Sequence, residues 1–135
     1  MRWFLLIIGC CLGWSTTAQT PPTRELKKSG LSFGAKYRYH EAYHDLAQYH
    51  EARPKDDQIW EALGIAAYHT HHLQVAEQLL RQVCDDNRIR TSNALLFLGK
   101  TYQLQQQFRL AANTYKQFLI STKSTHPLRN MVIDD

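Results

Sequence analysis

Residues 92–119, SNALLFLGKTYQLQQQFRLAANTYKQFL, decide the fold. Leu95, Leu98 and Tyr102 recur at three- and four-residue spacing, and beyond the polar run Gln105-Gln106-Gln107 so do Phe108, Ala111, Ala112, Tyr115, Phe118 and Leu119. Apolar stripes with that period mark amphipathic helices, so the segment predicts two helices joined by a glutamine turn. Gly99 in the first and Ala111 in the second are small enough to let the two backbones approach closely.

The pattern repeats upstream. Leu63-Gly64 precedes Leu98-Gly99 by 35 residues, Ala76 precedes Ala111 by 35, and a further step of 34 meets Ser29-Gly30 and Ala42. Three copies fit, at about 23–56, 57–90 and 92–125, with Thr91 as one inserted residue. Pro54-Lys55-Asp56-Asp57 and Asp85-Asp86-Asn87 are polar breaks between them, and Asp or Thr91-Ser92 can cap the helices that follow. Trp60-x-x-Leu63-Gly64 with Ala76, then Leu95-x-x-Leu98-Gly99-x-x-Tyr102 with Ala111-x-x-x-Tyr115, resembles the tetratricopeptide repeat, whose period is about 34 residues. The first copy matches best in its second half, Tyr39-x-Glu41-Ala42-x-x-x-Leu46 closing on Pro54, while Leu26 and Phe33 fill the apolar positions of its first half. Copies two and three lack the closing Pro, and Ala67 stands where the family prefers Tyr, with Tyr68 one place later. The resemblance implies an all-α fold, a superhelical stack of antiparallel helix pairs.

The N-terminus carries a different message. Arg2, the apolar run Trp3 to Trp14, and Ser15-Thr16-Thr17-Ala18 form the basic, apolar, small-residue order of a secretory signal peptide over residues 1–18, followed by a polar spacer at 19–22. Export to a bacterial periplasm or envelope is the expectation. Membrane association through a retained leader, or through lipid on Cys10 or Cys11, is the variant reading. Cleavage after Ala18 would leave Cys84 alone, so the fold cannot rest on an internal disulfide. At the other end Pro127 can open a helix whose apolar stripe, Leu128, Met131 and Val132, would cap the last copy. The chain is alternatively the N-terminal repeat part of a longer envelope protein.

Composition narrows the function. The 135 residues carry a net charge of +4 with 21% charged residues, but beyond Arg24, Lys27, Lys28, Lys36 and Arg38 the basic residues alternate with Asp and Glu, which does not make the concentrated patch that phosphate backbones require. Nucleic acid is not an expected partner. His40-Glu41-Ala42-Tyr43-His44 matches H-E-x-x-H, which on a helix can hold Zn²⁺ with the Glu as general base. A zinc peptidase is therefore the alternative from another class, although Ala42 and Leu46 already serve as packing positions and no third ligand is evident. His69, His71 and His72 sit together in a turn and are weak metal candidates, as are His40 and His44. No phosphate loop, paired-carboxylate cleft or nucleophile elbow is present in the sequence, so the chain is expected to be non-enzymatic and to need no cofactor.

The resemblance implies where a partner would bind. In tetratricopeptide proteins the first helices line a concave groove, and helical phase here assigns to it Arg24, Lys27, Leu31, Gln58, Glu61, Ile65, Tyr68, His69, Asn93, Leu96, Lys100, Gln103 and Leu104. Apolar anchors among polar groups suit a peptide or protein segment. The Lys and Asn clamp with which some members hold a terminal carboxylate is absent, since Leu31 and Ile65 stand where Asn would be required.

Overall fold

Short polar links set the architecture. The computed structural model describes residues 22–123, and the leader, most of the spacer and the expected C-terminal cap lie outside them. Among the described residues the regular structure is all helical: α1 Thr23–Ala35, α2 Tyr39–Ala52, a 3₁₀ turn Asp57–Ile59 running into α3 Trp60–His69, α4 Leu73–Asp85, α5 Ser92–Leu104 and α6 Phe108–Lys123. The protein is all-α.

The links after α1, α3 and α5 share one geometry. Tyr37, His71 and Gln106 each take a left-handed conformation, with φ of 59°, 62° and 61°. In each link the next residue donates its backbone N–H to a carbonyl five residues back: Arg38 to Phe33 at 2.9 Å, His72 to Ala67 at 2.8 Å and Gln107 to Tyr102 at 2.8 Å. These are the bonds of a Schellman C-cap, which satisfies carbonyls that a helix end leaves unpaired. The same residue's carbonyl then accepts the first four-residue-back hydrogen bond of the following helix, from the N–H of Ala42, Ala76 and Ala111, each at 3.0 Å. One link residue therefore ends one helix and starts the next.

Packing follows the links. α1 lies against α2, α3 against α4 and α5 against α6, while α2 also meets α3 and α4 meets α5; α1 touches α3, and α3 touches α5. Each pair closes on a glycine. A Cβ placed on Gly30 would stand 2.6 Å from Leu46 Cγ, one on Gly64 2.8 Å from Leu80 Cγ, and one on Gly99 2.6 Å from Tyr115 Cε1. Ala42, Ala76 and Ala111, one turn before those partners, are buried as well. Leu26, Leu46, Tyr49, Ile59, Leu63 and Leu79 form one buried cluster, and Ala76, Leu80, Val83, Cys84, Leu95, Leu98 and Tyr102 belong to a second. Tyr43, Trp60 and Val75 pack against both, so the core is continuous from α1 to α6.

Helix starts are capped by side chains where the sequence offers them. Thr91 Oγ1 accepts from the Ala94 N–H at 3.0 Å, and Asp56 Oδ1 accepts from Gln58 N–H at 3.1 Å, which begins α3 with the 3₁₀ turn. Cys84 is buried and free, and burial together with the neighbouring Asp85 carboxylate pushes its thiol up to about 12, so it behaves as a small apolar side chain.

Two glycines give opposite expectations. Ala in place of Gly99 meets the Tyr115 ring, so overpacking outweighs the gain in helix propensity and the protein should lose about 1–2 kcal/mol. Gly34 has only Ala42 Cβ at 4.0 Å in front of it, so Gly34→Ala should gain about 0.5–1 kcal/mol. Thermal melts followed by helical circular dichroism check both signs, and a Gly99→Ala protein melting above wild type would contradict the close approach.

Candidate functional site

A pocket of about 420 Å³ opens where α1, α3 and α5 meet, within the size range of ligand-binding clefts. Leu31 and Gly34 come from α1, Gln58, Glu61, Ala62 and Ile65 from the 3₁₀ turn and α3, and Asn93 and Phe97 from α5. Tyr37 in the first link and Tyr39 at the start of α2 close one side. The lining is thus apolar and aromatic with one carboxylate and two carboxamides.

Aromatic packing holds that side in place. The Tyr39 ring stacks on His69 with centroids 3.8 Å apart, and Tyr37 meets Tyr39 edge-on at 6.2 Å. Phe97 takes Tyr68 at 5.4 Å and His69 at 5.5 Å, both edge-on, and the Lys100 ammonium sits 4.9 Å from its centroid. A second stack, Tyr43 on His72 at 4.1 Å, runs beside the first, so the α3–α4 link is pinned against α2 by two histidine–tyrosine pairs. Burial first, and the nearby Lys100 charge second, hold the His69 pKa below its usual value. Burial raises that of Tyr39.

The expected groove residues divide into groups. Leu31, Gln58, Glu61, Ile65 and Asn93 line the pocket, and Tyr68, His69 and Lys100 adjoin it through Phe97. Arg24, Leu96, Gln103 and Leu104 do not line it; Leu104 is exposed and Gln103 accepts a hydrogen bond from the Tyr115 hydroxyl at 2.9 Å. Lys27 is engaged within the fold. Its ammonium bonds Asp56 Oδ2 and Gln58 Oε1, each at 2.7 Å, and Tyr49 donates to the same Asp56 oxygen at 2.5 Å. Tyr37, Tyr39 and Phe97 were not among the expected residues. Phe97 lies one place from the assigned Leu96 and three before Lys100, a helical neighbourhood that could have pointed to it; Tyr37 and Tyr39 sit in and just after a link, where helical phase says nothing.

The Lys27–Asp56–Tyr49 network ties α1 and the end of α2 to the start of α3. The Lys27 hydrogen bond, then that of Tyr49, holds the Asp56 carboxyl below the usual carboxylate range, and Asp56 in turn raises the pKa of Lys27.

The two histidine motifs lie on separate elements. His40 and His44 are exposed on α2; Glu41 accepts from Arg38 Nη2 at 2.6 Å and Nε at 3.0 Å, while His44 contacts Asp45 and Gln48. His69 and His72 stack on different tyrosines, and His71 occupies the left-handed link position. Among the described residues no three His, Cys, Asp or Glu side chains converge on a point that could hold a metal ion, and no helix is long and apolar enough to cross a membrane. Compared with protein-family models, curated proteins and solved structures, the chain matches none.

Removing Asp56 tests the network that positions α3. Asp56→Ala deletes an ion pair, a tyrosine hydrogen bond and a helix cap, for an expected loss of about 2 kcal/mol at neutral pH. Because the folded pKa of Asp56 is depressed, its contribution is present above about pH 4 and is lost as pH falls through the folded pKa. Urea unfolding of wild type and variant should therefore differ at pH 7, and the difference should shrink as the pH is lowered below about 4.

Proposed function

We propose that this chain is a non-catalytic protein-interaction scaffold of the bacterial cell envelope, built as a tetratricopeptide-like superhelical stack of three antiparallel helix pairs. On this reading α1, α3 and α5 form its concave face and hold an extended peptide or protein segment there. The pocket shared by those three helices is the observation that carries the proposal, because it joins aromatic and aliphatic anchors to a few polar groups, the mixture that recognises a chain segment by burial and register together. The recurrence of the link geometry at Tyr37, His71 and Gln106 supports three like units, and the N-terminal order of basic, apolar and small residues supports export. No cofactor enters the scheme.

A blocked pocket tests the face. Asn93 is exposed at the start of α5, and Asn93→Arg should fill the pocket without disturbing the core, while Lys116→Glu on α6 serves as a control. In an affinity pulldown of the full chain from envelope extract, a partner retained by wild type and Lys116→Glu and lost from Asn93→Arg is the expected outcome. Equal retention by all three would place the working surface elsewhere.

A further inference from the structure

We propose that the pocket between α1, α3 and α5 takes a positively charged side chain, lysine or arginine, from the bound segment, with Glu61 as its counter-ion; this rests on the reading of that face as the binding face. Glu61 is half-buried on the pocket wall, yet among the described residues its carboxylate has no hydrogen bond and no ion pair. Five of the six other half-buried acids among the described residues are ion-paired or hydrogen-bonded, and the sixth, Asp57, does not line this pocket. Asp56 has Lys27 and Tyr49, Asp45 has Ser29, Glu77 has Arg81 and Gln105, Glu41 has Arg38, Asp86 has Arg88, and Asp57 feels the Arg88 charge. A carboxylate partly withdrawn from water gains most from a cation brought to it.

The lining suits a cation with an aliphatic stem. Lys27 is already bonded to Asp56 and Gln58, and the Lys100 ammonium lies over the Phe97 ring. Arg90 shares a neighbouring cleft of about 360 Å³ with Glu61, but no ion pair joins them. Tyr37, also on the lining, is 77% exposed and leaves aromatic surface open to a guanidinium or ammonium. Leu31 and Ile65 offer aliphatic surface for the side chain's stem. An uncharged apolar side chain would bury the Glu61 carboxylate further without a partner.

The test is an NMR titration of the isotopically labelled full chain with acetyl-Gly-Leu-Arg-Leu-Gly-amide and with the same peptide carrying citrulline, the neutral isostere of arginine. The arginine peptide should shift the amides of Glu61, Ile65, Asn93 and Phe97 and bind about tenfold or more tightly than the citrulline peptide, the size of a charge-assisted hydrogen bond. Glu61→Gln should erase that difference by weakening the arginine peptide far more than the citrulline peptide. Equal affinity of the two peptides, or a preference for arginine that survives Glu61→Gln, overturns the charge recognition. If both peptides still shift the pocket amides and Asn93→Arg abolishes those shifts, the face itself stands. Shifts confined to other surfaces, or none at millimolar peptide, overturn the inference, and the pulldown then judges the face independently.

Discussion

Three contacts between a glycine and a large side chain govern how close the helices of this protein come. At Gly30, Gly64 and Gly99 the facing Leu46, Leu80 and Tyr115 occupy the space a Cβ would need. Each contact lies sixteen residues along the chain from its glycine (46 − 30, 80 − 64, 115 − 99), so each spans a link. With the spacing set this tightly, a three-residue link suffices, and a non-glycine residue in it is held left-handed. That conformation costs roughly 1–2 kcal/mol for an L-residue; the capping bonds to Phe33, Ala67 and Tyr102 help to offset it.

Between pairs the holding forces change character. Apolar burial continues through Tyr43, Trp60 and Val75, but orientation is added by polar and aromatic groups: Lys27 with Asp56 at one boundary, and Tyr39 and Tyr43 stacked on His69 and His72 near it. These contacts bring Tyr39, Glu61 and Phe97 from three different helices to the edge of one cleft. The residues that shape the pocket are in this sense supported by residues that face away from it.

Much of the helical layout was legible in the sequence because it depends on local periodicity. Leu95, Leu98 and Tyr102 announced α5, the Gln105–Gln107 run announced its link, and Thr91 was available as the cap it turns out to be. The 3₁₀ start at Asp57–Ile59 was not expected, since Asp56 caps that turn by accepting from a backbone N–H two residues on, a choice helix periodicity does not encode. Site residues were legible only in part. Helical phase found Leu31, Gln58, Glu61, Ile65 and Asn93, but it also assigned Lys27 to a partner, because nothing in the sequence shows that Asp56, 29 residues away, reaches its ammonium. Tyr37 and Tyr39 escaped notice because a link's side-chain directions follow from its left-handed backbone, not from a helical wheel.

The order of contacts has a kinetic meaning. Among the described residues every substantial helix–helix contact joins helices adjacent in sequence or two apart, so each requires closure of only a short loop. Helical chains dominated by such contacts fold quickly. No distant segment has to be found before a helix can pair, so little conformational search separates one contact from the next.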